Sequence, residues 1–399
     1  MSFTKILEKY KIPKKELEKV DLEKNLKLLG NDLTFLDVPE HQRTKHVHRL
    51  HPYLGKFIPQ LVEVFLKRFF KPGDTILDPF SGSGTTLVEA NVLNINSVGI
   101  ELSPFNVLIQ RVKTQKYDFK VLERELKDAL RRLERFISGK PDIFDGSRID
   151  KVSVGNYLKD WYHPQALKEI LFYREILKDY RYSEVMMVIL SRSARSARSI
   201  PHYELARPKK AVFEPYYCKK HKRICEPVKE AYKFIRRYTY DTLRRLKEFD
   251  KLRTDAFIEV IQGDTREVEL PSGIQFDGIL TSPPYIGIID YHEQHRYAYE
   301  LFGFERLDNK EIGPAFKGQG KKAREEYIED MVMALRNVLR YVKKGGKVFI
   351  VANDKYNLYP IIGDRVNLKL VDRFDRPVLM RTERTGKMFY ESIFFFVYE

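Results

Sequence analysis

Two cysteines and one tryptophan stand among 399 residues, so no disulfide framework organises this chain. No apolar run reaches the length of a bilayer span. The lysine-rich start lacks the apolar stretch of a secretory signal, so a soluble cytoplasmic protein is expected. Repeats and low-complexity tracts are also missing. Positive charge, by contrast, is plentiful: Lys and Arg number 72 against 56 Asp and Glu, a formal net charge of +16. Such a balance favours a polyanionic partner, because neutralised phosphates release counterions. An anionic membrane face is the other reading. Hydrophobic residues at 43% exclude a disordered chain and suffice for two domains. Abundant Lys, Arg and Glu with little Cys match the composition of thermophilic proteins.

The chain divides by pattern. Residues 1–45 read as a charged N-terminal helical segment. Strands are expected at 75–78, 97–101, 257–261, 276–280, 347–351 and 392–398, with a helix over 85–93 and a long amphipathic helix over 324–343 that Gly345 and Gly346 end. Strands alternating with helices predict an α/β fold with a parallel sheet covered on both faces. The stretch 116–255 is almost wholly helical in period and too long for a crossover, which predicts an inserted, mainly helical domain. The sheet domain then comprises 46–115 and 256–399. Ligands in such folds bind beyond the carboxyl ends of the strands.

Two motifs fall at those ends. Residues 78–86 follow the first strand and open a helix. Gly82 and Gly84 permit a tight turn and close backbone approach to a ligand, and Asp78 stands at the strand tip. The loop lacks the Gly-Lys-Thr ending of a phosphate-cradling loop and departs from the dinucleotide fingerprint. A plain structural turn is the alternative. Glu101 ends the second strand, followed by Leu102 and Ser103; a carboxylate there accepts bonds from ribose hydroxyls, whereas alone it would be a surface acid.

Ser282, Pro283, Pro284 and Tyr285 follow the fourth strand. A base amino group is a weak nucleophile because its lone pair is delocalised. The Ser282 hydroxyl and the Pro283 carbonyl offer acceptors for its protons, the paired prolines stiffen the wall, and Tyr285 offers a face for an extruded base. No metal is needed for such a transfer. A proline-rich turn is the plain alternative. His292 and His295, just beyond, read as the start of a helix.

Together these motifs resemble the S-adenosylmethionine-dependent DNA amino-methyltransferases, which modify cytosine N4 or adenine N6. The resemblance covers about 46–115 and 256–399. It implies a Rossmann-like seven-stranded methyltransferase sheet and a cofactor loop of Asp78, Pro79, Phe80, Ser81, Gly82, Ser83, Gly84, Thr85 and Thr86, with Glu101, Leu102 and Ser103 beside it. It implies further cofactor contacts from Tyr53, Lys56, Phe57 and Ile58, and from Asp264 towards the adenine amino group. The serine form of the catalytic motif resembles mainly the cytosine-N4 enzymes. Cofactor loop first and tetrapeptide second is the family's alpha-like order, in which the insert holds target recognition. Double-stranded DNA is then the substrate, and a cognate restriction endonuclease the partner such systems bring. Adenine N6, guanine N2 in RNA, and a nucleic-acid-binding module with an inactive cofactor pocket stay open as alternatives. A nicotinamide oxidoreductase is more remote.

Within the insert, Arg192, Arg195 and Arg198 recur at spacing three, and Lys209 and Lys210 follow. An arginine face on a helix would meet phosphates or guanine; a solvated basic face is the alternative. Cys218, His221 and Cys225 are three zinc-type ligands at short spacing, with His202 a conceivable fourth. A buried thiol pair or a local disulfide competes with that reading.

Overall fold

The computed structural model describes residues 20–35, 38–53, 55, 58–141, 145, 154–205, 208–378 and 389–399. Strands β1 (Thr75–Asp78), β2 (Asn96–Glu101), β5 (Ile258–Gln262), β6 (Phe276–Thr281), β7 (Val342–Ala352), β8 (Leu368–Val378) and β9 (Phe389–Tyr398) form one sheet in the order β5-β2-β1-β6-β7-β9-β8. The first five are mutually parallel, and β9 runs antiparallel between β7 and β8. This is the Rossmann-like seven-stranded sheet that the resemblance implied.

Alternation along the strands supplies both faces with apolar side chains. Ile76, Phe349 and Ile393 pack with Leu61, Phe65 and Ala90 on one side. Their neighbours Leu77, Ile350 and Phe394 pack with Met331, Leu335 and Val338 of helix Lys321–Leu339 on the other. That helix ends at Leu339. Gly345 and Gly346 lie inside β7 instead of terminating it, which corrects the expected boundary. Gly345 takes φ +78°, a conformation that suits glycine alone.

Helix Leu22–Leu29 of the N-terminal segment docks on the sheet edge. Asn25 donates to the Asp375 carbonyl of β8 at 2.9 Å.

The insert carries helices Phe119–Ile137, Pro164–Ile176, Ser183–Ala197 and Tyr232–Asp250. It also holds a small antiparallel hairpin, β3 (Tyr216–Cys218) with β4 (Arg223–Cys225), which the helical period did not reveal. Its apolar core is continuous with Phe105, Ile109 and Val112 of helix Pro104–Thr114, and with Tyr297 and Leu301. None of the described helices is long and apolar enough to cross a membrane.

Candidate active site

The tips of β1 and β6 are side by side. Ile76 pairs with Gly278 and Leu77 with Ile279, and the Thr281 hydroxyl donates to Asp78 at 2.6 Å. Beyond them, together with the ends of β2 and β5, opens a cleft. Pro79, Phe80, Ser81, Gly82, Ser83 and Thr85 of the glycine loop line it, with Glu101, Leu102, Ser103, Asp264, Ser282, Pro284 and Tyr53. Asp78, Gly84 and Thr86 support the loop from beneath. Buried Asp78 also accepts from the Phe80 amide at 3.2 Å, and desolvation raises its carboxyl to about 6.

Helix Pro104–Thr114 clamps the loop from behind. Gln110 donates to the Gly82 carbonyl at 2.9 Å and accepts from Ser81 at 3.0 Å. The fully buried Lys113 ammonium donates to the Ser83 carbonyl. Gly82 and Gly84 take φ +51° and +75°. A Cβ on Gly82 would stand 3.3 Å from the Tyr53 hydroxyl, and one on Gly84 2.9 Å from Gln110. Tyr53 and Gln110 thus occupy the space a side chain would need, so only glycine fits at either position.

Glu101 Oε1 accepts from the Ser103 amide at 2.8 Å and from Asn106 at 3.3 Å. Burial outweighs those bonds and raises the carboxyl to about 7. Ionised, it is an acceptor for paired hydroxyls; protonated, it is a poor one. Cofactor affinity is therefore expected to fall roughly tenfold from about pH 8 to about pH 6, as the ionised fraction falls. Isothermal titration across that range reads it, and a flat profile would contradict the ribose role of Glu101. Asp264 is held by Arg266 at 2.6 Å. Burial works to raise its pKa, but the guanidinium prevails and keeps the carboxyl below its usual range.

Ser282 Oγ is buried and has no well-formed hydrogen bond among the described residues, with the Tyr285 side chain close enough to interact with it. Such a poorly satisfied acceptor costs stability unless a ligand completes it. The Pro284 carbonyl, by contrast, is taken by the Tyr327 hydroxyl at 2.8 Å. Pro283 and Tyr285 are buried outside the cleft lining. The Tyr285 ring stacks on Phe389 with centroids 6.2 Å apart, and its hydroxyl donates to Glu391 at 2.9 Å.

Of the upstream segment, Tyr53 lines the cleft and stacks on His295 and Tyr291 beside the glycine loop. Ile58 instead precedes helix Pro59–Phe69 and packs into the core beneath the sheet. Lys56 and Phe57 lie outside the described residues. From the sequence, His292 reads as a helix start and nothing marks Glu311, yet both line the cleft. The Glu311 carboxylate accepts from the His292 ring and amide and from the Tyr291 amide. Their separation of 19 positions in an irregular segment left no periodic signal.

The insert arginines require a correction. Arg192 and Arg198 turn inward and are buried, and Arg195 is half-buried. Arg192 pairs with Asp241 at 2.7 Å and stacks 4.0 Å over Tyr238. Arg198 lies over Tyr297 at 5.0 Å and donates to the Arg195 and Leu205 carbonyls. Asp241 also takes Arg245 at 3.0 Å and the exposed Arg244 at 2.7 Å, so one carboxylate serves two guanidiniums that are each about a tenth exposed. Asp241→Ala is expected to destabilise the fold by about 3 kcal/mol, since it strands buried charge; denaturant unfolding reads the loss. Lys209 and Lys210 are exposed, as a phosphate contact requires.

A mainly parallel sheet with a glycine loop on its first strand tip and a buried carboxylate on the next suits an enzyme that binds a nucleoside cofactor. The comparisons narrow the class. The family described as DNA methylase matches residues 3–110. Type II methyltransferase M.MjaII of Methanocaldococcus jannaschii is 44% identical over 91% of this chain and 82% of its own. Type II methyltransferase M.BsoBI of Geobacillus stearothermophilus is 25% identical over 68% of this chain and 55% of its own. A tRNA (guanine(10)-N2)-dimethyltransferase of Methanocaldococcus jannaschii is 24% identical over 32% of this chain and 42% of its own. The chain belongs to the DNA amino-methyltransferase family. It is a DNA methyltransferase, and S-adenosylmethionine is its cofactor.

The residues present fit that cofactor. The side-chain-free Gly82 lines the cleft and suits close backbone approach, Glu101 suits the ribose, and Ser83 Oγ and Asn106 Oδ1 are buried polar atoms without hydrogen-bond partners among the described residues.

Proposed function

We propose that this enzyme methylates the exocyclic N4 of cytosine in double-stranded DNA, with the target base extruded into the cleft at Ser282. The observation that carries the reading is the buried Ser282 Oγ, without a well-formed hydrogen bond among the described residues, in the same cleft as Glu101 and the glycine loop. The bound cofactor supplies an electrophilic sulfonium methyl. The protein's part is to hold the amine: Ser282 Oγ and the Pro283 carbonyl accept its two N–H bonds, so the nitrogen lone pair turns away from the base ring. Tyr285 exchanges Phe389 for the extruded base, at the unstacking cost that flipping enzymes bear. The amine proton lost after transfer leaves through water.

Residues 116–255 act as the target-recognition domain in this reading, with exposed Lys209 and Lys210 against phosphates. A cognate restriction endonuclease would be the partner if the enzyme protects its own genome. Incubation with labelled cofactor and genomic DNA, followed by nucleoside digestion and mass spectrometry, is expected to yield N4-methylcytosine. N6-methyladenine as the sole product would replace cytosine with adenine. Methyl guanine in transfer RNA, with DNA unlabelled, would overturn the reading.

A further inference from the structure

Far along the chain from the cleft motifs, the insert folds a hairpin that has too little core to hold itself. Strands β3 and β4 have three residues each and pair only with one another. An isolated two-stranded ribbon is marginal in water without a cross-link. Its outer side is charged and wet: Lys219, Lys220, Lys222 and Arg223 are exposed, as are Tyr217 and Ile224. Its inner side holds two buried cysteines, Cys218 and Cys225, and both are free thiols.

Two histidines close over those sulfurs. His221 Nδ1 lies 3.6 Å from Cys218 Sγ and 3.4 Å from Cys225 Sγ. His202 Nδ1 lies 3.9 Å from Cys218 Sγ. One ligand atom from each of the four residues falls within 4.8 Å of every other. In a tetrahedral zinc site, Zn–S near 2.3 Å and Zn–N near 2.05 Å put sulfur and nitrogen about 3.6 Å apart along an edge. The observed spacings bracket that value.

We propose that His202, Cys218, His221 and Cys225 bind a structural zinc ion. Four protein ligands close the site, so no position remains for water or substrate, and the metal serves folding rather than methyl transfer. Zinc is favoured over harder cations because the donors are thiolate and imidazole. On binding, the two thiols lose their protons to solvent and the two imidazoles ligate as neutral rings. Two thiolates then balance the metal's charge, which leaves the flanking lysines free to face outward. The Tyr216 hydroxyl lies 2.9 Å from His202 Nδ1 and yields that nitrogen to the metal. Chain closure supports the assignment: the turn between the strands brings the Lys222 amide to the Cys218 carbonyl at 2.7 Å, with Lys222 at φ +53°. This compact knuckle presents His221 to both sulfurs.

The second buried cluster of ligand type, His46, His48 and Glu89, carries no such inference. The Lys45 ammonium sits 2.8 Å from Glu89 and already supplies its counter-charge.

The test is metal analysis of the untagged full-length protein, purified without chelator. About one zinc per chain is expected, and Cys218→Ser with Cys225→Ser together should lower it at least about tenfold. Cobalt exchanged into the site should show tetrahedral ligand-field bands and thiolate charge transfer, a readout independent of catalysis. Alkylation of both thiols should be slow until a chelator is added. S-adenosylmethionine binding serves as the folding control. Protein without zinc, before or after reconstitution, and with its two thiols equally reactive with and without chelator, would overturn the proposal. So would a Cys218–Cys225 disulfide in the purified enzyme.

Discussion

Ser282→Ala is expected to lower the methyl-transfer rate about a hundredfold while leaving cofactor affinity unchanged. A single preorganised acceptor or donor at a reacting group is commonly worth that much. The asymmetry follows from placement. Ser282 Oγ is buried and has no well-formed bond among the described residues to lose, so the substitution is expected to leave the fold and the Glu101 side of the cleft intact. What it removes is an acceptor for an amine proton, which matters only when the base is in place. Single-turnover kinetics with preformed enzyme–cofactor complex separates the two parameters. Equal loss of cofactor affinity would show that Ser282 shapes the cleft rather than the reaction. A rate unchanged by the substitution would remove Ser282 from catalysis.

Glu101→Gln carries the second large effect, and it falls on the other parameter. The ionised carboxylate would accept from hydroxyls that a neutral amide serves poorly, and bonds to charged groups contribute about 1.5–3 kcal/mol each. A cofactor affinity roughly a hundredfold weaker is expected, with the pH dependence near neutrality lost because the group raised to about 7 is gone. Titration calorimetry of the variant at two pH values measures both. Wild-type affinity in the variant would mean that the ribose is held elsewhere.

Much of this site was legible before the fold was known, because its residues cluster in short segments at strand ends. The glycine loop, Glu101 and Ser282 sit within a few positions of strands whose apolar runs are continuous, as parallel strands buried on both faces must be. Strand β8 left a weaker trace. Lys369, Asp372, Arg373 and Asp375 interrupt its apolar pattern, and its pairing with β9 shifts between Leu370 and Asp372. Charges of this kind blunt a sheet edge against aggregation, and they also disguise the strand.

The arginines at 192, 195 and 198 failed for a different reason. Spacing suggests a shared helical face but not where it points, and Arg198 lies just past the end of helix Ser183–Ala197. Here the deciding groups, Asp241, Tyr238 and Tyr297, lie some 40 or more positions away in the chain. The metal ligands fall between these cases. Cys218, His221 and Cys225 are close enough to be read together, whereas His202 joins them only through the folded chain.

The proposition beneath all of this is that cofactor and target amine meet between the tips of β1 and β6. A crystal structure with S-adenosylhomocysteine and duplex DNA tests it directly. The account predicts ribose hydroxyls on Glu101 and an unstacked cytosine whose N4 lies within hydrogen-bonding distance of both Ser282 Oγ and the Pro283 carbonyl. A flipped base whose amino group is bound away from Ser282, or a cofactor seated off the glycine loop, would contradict it.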